Sequence, residues 1–166
     1  MRIEIVEGDL LRQPVETIVN AANTRMRGGG GVDGAIHAAA GFHLLDELRR
    51  VAPRGAETAE VVVTGGHGTG FQHIFHVAGP RWKGGDQGEG ELLAASYRNV
   101  CLRALELGVR SIAFPSISTG AYGYPVRMAA PIALENLRSA EGFERLIVAL
   151  KDREAIRVYA ELSNEP

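Results

Sequence analysis

The chain has 166 residues, of which 45% are apolar and 23% are charged, and its formal net charge is -2. This balance is typical of one soluble globular domain, here spanning 1–166, and argues against a disordered or membrane-embedded chain. The small negative charge provides no general attraction to nucleic acid or to an anionic membrane, so neither is an expected partner.

Hydrophobic periodicity and turn residues divide the chain into predicted strands and helices. In chain order, the patterns predict strands at 2–6 and 17–19, helices at 34–40 and 44–51, strands at 61–64 and 74–77, a helix at 91–107, a strand at 111–114, a helix at 125–137, a strand at 146–150 and a closing helix at 152–162. The glycine-rich segment GGHGTGF (65–71) joins two of these strands and is interpreted as a connection.

The alternation of these elements predicts the fold class. Strands alternate with helices, and several strands are apolar on both faces, which is typical of a three-layer α/β fold with a largely parallel or mixed sheet. Such sheets bind their ligands at the loops beyond the carboxyl ends of the strands. Those loops are therefore where a functional site is expected.

The N-terminal sequence MRIEIVEGD interrupts its apolar residues with charges, so we expect no signal peptide and a cytoplasmic location. Cys101 is the single cysteine, which excludes an internal disulfide, and it is interpreted as a small core residue. No Cys and His spacing suggests a metal site. We therefore expect neither a metal nor another cofactor.

Four consecutive glycines, Gly28 to Gly31, lie within NAANTRMRGGGGVDGAIH (20–37), after the strand predicted at 17–19. Glycine loses more conformational freedom on folding than any other residue, so this run is costly unless bare backbone is needed there. A helix is predicted to begin near Gly34. The loop would then direct unpaired backbone N–H groups and the positive end of a helix dipole at a ligand above the sheet.

A second loop of similar design, PSISTGAYGYP (115–125), joins the strand predicted at 111–114 to a helix with Pro125 in its first turn. Two such turns side by side would hold a diphosphate through backbone donors alone. The glycine run is not a P-loop, because no Gly-Lys-Ser/Thr follows it. It is also not the usual dinucleotide-binding fingerprint, because no acidic residue closes a βαβ unit at the expected distance.

The segment NAANTRMRGGGGVDGAIHAAAG (20–41) resembles the signature of the MacroD-type macrodomains, which bind ADP-ribose. Further similarity lies in EGDL (7–10), HVAGPRWKGG (76–85) and FPSISTGAYGYP (114–125), in the same order and with compatible spacing. The resemblance covers nearly the whole chain. It implies a three-layer α/β/α macrodomain fold with a mixed, roughly six-stranded sheet and ADP-ribose bound across one edge of that sheet.

The resemblance also implies roles for individual residues. Asp9 would accept a hydrogen bond from the adenine amino group, with the backbone of Leu10 beside it. Asn23 and Asp33 would lie at the distal ribose as the catalytic residues. The residues implied around the diphosphate and the distal ribose are Gly31, Val32, Ser118, Thr119, Gly120, Ala121 and Tyr122.

One position differs from many relatives, which have an aromatic residue stacked on adenine at the end of the last strand. This chain has Lys151 there, in LIVALKDRE. A lysine stem covers a base, but it lacks the ring stacking that contributes about 1–3 kcal/mol per base in nucleic-acid sites.

The implied site has one carboxylate, Asp33, whereas enzymes that cleave at an anomeric carbon usually use two. A carboxylate leaving group has a pKa near that of free Glu, about 4.3, and departs without protonation. A site with a single acid therefore matches ester-linked Asp or Glu adducts. Asp33 would either orient and partly deprotonate the water, or hold a ribose hydroxyl while its charge stabilises the developing cation.

These considerations predict a metal-independent hydrolase that removes mono-ADP-ribose from protein Asp and Glu esters and deacetylates O-acetyl-ADP-ribose. ADP-ribose, its esters and mono-ADP-ribosylated proteins are then the expected partners. The alternative is a non-catalytic module that binds ADP-ribose. Such a module would need the two loops but no carboxylate at the distal ribose. The purely structural interpretation is a helix cap for Asp33 and a turn residue for Asn23, and the turn interpretation is also given to Asn20.

Overall fold

The computed structural model describes residues 2–163, which form a six-stranded sheet between two layers of helices. The strands are β1 (Ile3–Glu7), β2 (Thr17–Ala22), β3 (Val61–Gly65), β4 (His73–Ala78), β5 (Ser111–Phe114) and β6 (Arg145–Leu150). The helices are α1 (Gly31–Ala40), α2 (His43–Val51), α3 (Glu89–Glu106), α4 (Val126–Arg138) and α5 (Arg153–Ser163). Every predicted strand and helix is present, with ends that differ by no more than three residues.

The sheet is mixed, as predicted, with the strand order β1-β6-β5-β2-β4-β3. All neighbouring strands are parallel except β3, which runs antiparallel to β4. The connection between β3 and β4 contains only a short 3-10 turn at His67–Thr69, as expected for an antiparallel pair. The parallel neighbours are instead connected through helices or longer segments.

The sheet buries both of its faces. In β2, Val19 packs on the side of α3, α4 and α5, whereas Ile18 packs on the side of α1 and α2, because successive strand residues point to opposite faces. Both side chains are fully buried. Cys101 of α3 belongs to the first of these two cores, which agrees with its interpretation as a core residue.

The five parallel strands all end at the same edge of the sheet. Because β2 and β5 are hydrogen-bonded neighbours, the loop after β2, which contains the four glycines, and the loop after β5 lie side by side at that edge. The topology therefore brings together two turns that are about ninety residues apart in the sequence.

Helix α3 contacts the loop after β5 through a residue of the core. The Tyr97 hydroxyl, in a side chain that is almost fully buried, accepts a hydrogen bond of 2.9 Å from the backbone N–H of Ile117. The Tyr97 ring also packs against Phe114, with 5.7 Å between the ring centroids. The position of this loop is thus fixed by the core.

We expect Tyr97→Phe to lower the free energy of unfolding by about 1–3 kcal/mol, because it leaves the Ile117 N–H buried without an acceptor. Tyr124→Phe is the matched control, since no hydrogen bond to the Tyr124 hydroxyl is found within residues 2–163. Urea unfolding of both variants measures the difference. An equal loss in the two variants would contradict the anchoring role of Tyr97.

Candidate functional site

Two adjoining cavities open at the carboxyl edge of the parallel strands. The first, of about 270 Å³, is lined by Asp33 and is named the aspartate cavity. The second, of about 430 Å³, is lined by Lys151 and is named the lysine cavity. Gly31, Val32 and Gly120 line both cavities, so together they form one continuous groove.

Every residue that the sequence places in the site lines this groove. Those in the aspartate cavity are Asn23, Gly31, Val32, Asp33, Ser118, Gly120, Ala121 and Tyr122. Those in the lysine cavity are Asp9, Leu10, Thr119 and, again, Gly31, Val32 and Gly120. The residues for which sequence reasoning expected separate contacts with one extended ligand are therefore adjacent in the structure.

A larger cavity, of about 1070 Å³, lies along β1 and beside α4 and α5. It contains none of the predicted site residues, and the carboxylate of Glu4 on its wall is paired with Arg145 at 2.7 Å. Within residues 2–163, no group of three or more His, Cys, Asp or Glu side chains could hold a metal ion. No helix of the same residues is long and apolar enough to cross a membrane.

The glycine run is explained by its geometry. Gly28 and Gly31 have φ angles of 91° and 57°, in the left-handed region that favours glycine. A Cβ atom at Gly29 would lie 3.2 Å from Asp33 Oδ2 and 3.3 Å from Asn23 Nδ2. The bare backbone therefore lets the loop turn and pack closely against the two predicted catalytic residues.

Helix α1 begins at Gly31, three residues before the predicted start. Its N-cap is Gly30, which has no side chain, so the first N–H groups of the helix have no side-chain acceptor. Gly31, Val32 and Asp33, which carry these N–H groups, line the groove, so the positive end of the helix dipole lies there as well. Asp33 consequently lies inside the first turn of α1, and the interpretation of Asp33 as a helix cap is wrong.

The loop after β5 presents a second set of donors. Among the backbone hydrogen bonds found within residues 2–163, none uses the N–H groups of residues 118–122. The loop is closed by hydrogen bonds from Tyr124 N–H to the Ser118 carbonyl and from Gly123 N–H to the Gly120 carbonyl, each 3.0 Å long. Free, clustered N–H groups of this kind are suited to an anion such as a diphosphate.

Gly79 follows β4 and also lines the aspartate cavity. A Cβ atom at this position would collide with the side chains of Ile117 and Ser118. Ser118 itself has a φ angle of 69°, which is uncommon for a residue other than glycine. Gly79 therefore makes room for the donor loop after β5, a requirement that sequence reasoning missed.

Asp33 is a buried carboxylate with a defined set of neighbours. The residue is 5% exposed, and Oδ1 accepts a hydrogen bond of 2.8 Å from Asn20 Nδ2. His37 Nε2 lies 3.4 Å from the same oxygen, without the alignment of a hydrogen bond. The second carboxylate oxygen, Oδ2, faces the glycine loop and is the one left for a ligand.

Asn20 connects Asp33 to a chain of buried polar groups. Its Nδ2 lies 3.1 Å from His76 Nδ1, and His76 Nε2 lies 2.9 Å from Thr64 Oγ1, which donates to the Gly65 carbonyl at 3.0 Å. An amide nitrogen only donates, so His76 Nδ1 accepts and Nε2 carries the hydrogen. The chain of hydrogen bonds thus orients the amide of Asn20 towards Asp33.

This network corrects the interpretation of Asn20 as a turn residue. Asn20 lies in β2, directly opposite His76 of β4, and both side chains are fully buried on the face covered by α1. The signal in the sequence was the alternation Ile18, Asn20, Ala22, which places the amide on the same face as two core residues. Polar groups buried in this way are nearly always hydrogen-bonded.

Asn23 closes the turn that leads into the glycine run. Its Oδ1 accepts a hydrogen bond of 3.0 Å from Arg25 N–H, and its Nδ2 donates one of 3.1 Å to the Gly28 carbonyl. The side chain still lines the aspartate cavity, and Nδ2 keeps one hydrogen for another acceptor. Asn23 is therefore a turn residue by geometry, in a position where it also reaches a ligand.

The far end of the lysine cavity is formed by the residues after β1 and β6. Asp9 Oδ1 accepts a hydrogen bond of 3.0 Å from Leu11 N–H and thereby caps the 3-10 turn Leu10–Arg12. The neighbouring Asp152 accepts one of 2.9 Å from Ala155 N–H at the start of α5. Lys151 is exposed on the wall between them, and no aromatic ring lines this cavity within residues 2–163.

A mixed six-stranded sheet between two helical layers, with donor-rich turns at the carboxyl edge of its parallel strands, defines the macrodomain class. The sequence model of the Macro domain family matches residues 19–133, and the chain belongs to this family. The expectation drawn from the glycine-rich signature is therefore confirmed.

Named relatives are similar over most of their length. The chain is 48% identical over 137 residues to a Macro domain-containing protein of Methanosarcina mazei, a match that covers 82% of this chain and 72% of that protein. It is 42% identical over 170 residues to the O-acetyl-ADP-ribose deacetylase of Salmonella typhimurium, covering 97% of this chain and 93% of that protein. A solved variant of the Oceanobacillus iheyensis macrodomain with ADPR superposes with a TM-score of 0.88 and 40% identity, covering 96% of this chain and 90% of that one.

His76, which is buried in the hydrogen-bond chain between Thr64 and Asn20, predicts a pH dependence of stability. Burial lowers the pKa of His76 from 6.5 to about 4, although the Asp33 carboxylate opposes this shift. As the pH falls, His76 binds a proton near pH 6.5 in the unfolded chain but only near pH 4 in the folded chain. The free energy of unfolding should therefore fall as the pH falls between these values, by about 1.4 kcal/mol per unit.

Urea unfolding between pH 5 and pH 6.5 measures this slope. His76→Gln removes the titrating group and should flatten the slope, whatever its effect on absolute stability. His43→Gln is the matched control, because His43 is exposed on α2 and should leave the slope unchanged. A slope that persists in the His76 variant would contradict the account of the network.

Proposed function

We propose that this macrodomain hydrolyses esters of the distal ribose of ADP-ribose. Its substrates would be mono-ADP-ribosylated Asp and Glu side chains and O-acetyl-ADP-ribose, and no metal ion would take part. Two relatives support the proposal: the Salmonella typhimurium relative is named O-acetyl-ADP-ribose deacetylase, and the Oceanobacillus iheyensis structure holds ADPR. The groove offers complementary chemistry for each part of such a ligand.

The diphosphate would lie between the N-terminus of α1 and the free N–H groups of residues 118–122. The adenosine end would occupy the lysine cavity, where Asp9 Oδ2, which lies 3.9 Å from Arg12 Nε, would accept from the adenine amino group. The distal ribose would then lie in the aspartate cavity. The protein thus binds an anion through backbone donors, although its formal net charge is -2.

The observation that carries the proposal is the position of Asp33. Among the residues that line the aspartate cavity, Asp33 is the one carboxylate, and its buried Oδ1 is held by Asn20 while Oδ2 remains for the ligand. A fixed negative charge beside the distal ribose stabilises the oxocarbenium-like state that develops at the anomeric carbon. A module that only binds ADP-ribose needs no negative charge at the anomeric carbon.

In the reaction on a protein ester, the bond between the anomeric carbon and the carboxylate oxygen breaks, and the carboxylate leaves with the electron pair. Water adds to the anomeric carbon and loses a proton. Oδ2 of Asp33 would accept either that proton or the hydrogen of a ribose hydroxyl. In O-acetyl-ADP-ribose, water instead adds to the carbonyl carbon of the acetyl group and loses a proton. The bond between that carbon and the ribose oxygen breaks, the ribose oxygen takes up a proton, and acetate is released.

A non-catalytic ADP-ribose-binding module is the second candidate. It is favoured by the hydrogen bonds of Asn23, because both ends of that side chain are engaged by the backbone of its own turn. Asp33 would then hold a ribose hydroxyl and nothing more. Turnover distinguishes the two functions, since both predict binding of ADP-ribose.

We expect Asp33→Asn to lower kcat by at least about 100-fold, because it removes the charge and the proton acceptor while keeping the shape. Release of ADP-ribose from a glutamate-linked ADP-ribosylated protein, and of acetate from O-acetyl-ADP-ribose, measures the effect. A fall in kcat at constant KM would indicate that Asp33 accepts a proton from the attacking water. A rise in KM would indicate that it binds a ribose hydroxyl.

Asp46→Asn is the matched control, because Asp46 is exposed on α2, and it should behave like the wild type. Wild-type rates in the Asp33 variant would remove Asp33 from the catalytic role. Saturable binding of ADP-ribose with no release from either ester would leave the binding module as the function.

A further inference from the structure

A third cavity, of about 230 Å³, continues the groove beyond β4. It is named the cation cavity, because Arg81 and Lys83 line it; the other polar residues of its wall are Thr24, Thr58, Gln87, Glu89 and Tyr122. Gly79 and Tyr122 line both this cavity and the aspartate cavity, so the two share a wall. ADP-ribose bound in the lysine and aspartate cavities would leave the cation cavity without a ligand.

The loop that carries the two cations is built around a buried carboxylate. Glu89, the first residue of α3, is 2% exposed and accepts hydrogen bonds of 2.9, 2.8 and 2.6 Å from the N–H groups of Lys83, Gly85 and Gln87. Burial raises the pKa of this carboxyl, but the backbone donors outweigh it and bring the pKa to about 2. The charged carboxylate of Glu89 therefore holds the loop in place through these three hydrogen bonds.

The other end of the same loop is attached to the wall of the aspartate cavity. Trp82 N–H donates a hydrogen bond of 2.9 Å to the Tyr122 carbonyl, and the Trp82 ring packs against Tyr124 with centroids 4.7 Å apart. The Arg81 guanidinium lies 4.5 Å from the centroid of the Tyr122 ring. Arg81 and Lys83 are thus carried by a loop that is fixed relative to the site of the distal ribose.

Two cations and one carboxylate line this cavity, and both oxygens of that carboxylate, Glu89, accept hydrogen bonds from backbone N–H groups. Within residues 2–163, neither Arg81 nor Lys83 forms an ion pair. The carboxylate of Asp86, on the same loop, accepts a hydrogen bond of 3.3 Å from Gln87 Nε2 and does not line the cavity. Arg81 and Lys83 therefore remain for a ligand, and the residues that line the cavity keep a positive net charge.

The strand order indicates which part of a substrate lies near Arg81 and Lys83. The lysine cavity follows β1, β6 and β5, the aspartate cavity follows β5, β2 and β4, and the cation cavity lies beyond β4. ADP-ribose that runs from the lysine cavity to the aspartate cavity leaves its distal substituent on the side of the cation cavity. In a protein ester that substituent is the polypeptide.

We propose that the cation cavity binds the polypeptide of a mono-ADP-ribosylated substrate and selects modified Asp or Glu residues that have further acidic residues beside them. This inference rests on the proposed function, because it needs the ester at the distal ribose. A carboxylate next to the modified residue pairs with Arg81 or Lys83, while the hydroxyls of Thr24 and Thr58 meet the peptide backbone. O-acetyl-ADP-ribose has no polypeptide and makes none of these contacts.

Two peptides with a single glutamate-linked ADP-ribose test the proposal, one flanked by Asp and Glu and the other by Asn and Gln. We expect the wild type to have a kcat/KM about five- to tenfold higher for the acidic peptide, which corresponds to two exposed ion pairs. The preference should decrease as salt is added, because exposed charges are screened.

Arg81→Gln/Lys83→Gln removes both charges and keeps a planar group over Tyr122. It should abolish the preference and leave deacetylation of O-acetyl-ADP-ribose unchanged. Arg81→Glu/Lys83→Glu should invert the preference in favour of a peptide flanked by Lys, a result that unfolding cannot produce. Arg49→Gln/Arg157→Gln is the control of equal charge, since both arginines are exposed and unpaired within residues 2–163.

The outcomes separate this inference from the proposed function. Equal kcat/KM for the acidic and neutral peptides, with normal turnover, would overturn the inference alone. If the Arg81→Gln/Lys83→Gln variant lost kcat/KM equally on both peptides and on O-acetyl-ADP-ribose, the two cations would attract the diphosphate in general. That result would also overturn the inference. No turnover of any ester would overturn the proposed function and this inference together.

Discussion

The site depends on backbone N–H groups that the fold leaves without acceptors at one edge of the sheet. They come from the first turn of α1 and from residues 118–122, and they lie together because β2 and β5 are parallel neighbours. Such donors are fixed by the chain and need no counter-charge, whereas arginine or lysine side chains would have to be ordered on binding. This is how a chain with a net charge of -2 is equipped for an anionic ligand.

Fixing these donors constrains residues outside the two donor turns. Tyr97 holds the loop after β5 from the core, and Gly79 leaves the space that this loop fills. Asn20, His76 and Thr64 form a buried polar chain within the sheet. Hydrogen bonds offset the cost of burying these groups, and each link of the chain orients the next towards Asp33, although the buried Asn20 Oδ1 has no partner within residues 2–163.

Local sequence patterns were sufficient for the elements and for both donor turns. Apolar periodicity located every strand and helix, and the glycine run with PSISTGAYGYP identified the turns that line the groove. The start of α1 was missed, because its N-cap is a glycine and gives no side-chain signal. The link between Asn20 and His76 joins residues 56 positions apart and depends on strand register, which no local pattern contains.

The most direct test of the central claim is an amide NMR titration of nitrogen-15-labelled protein with ADP-ribose, ADP and adenosine. The account predicts that the resonances of Gly31, Val32 and residues 118–122 shift with ADP-ribose and with ADP but stay in place with adenosine, because only the first two carry the diphosphate. Saturable binding of ADP-ribose that leaves these amides unmoved, or equal shifts with adenosine, would contradict it.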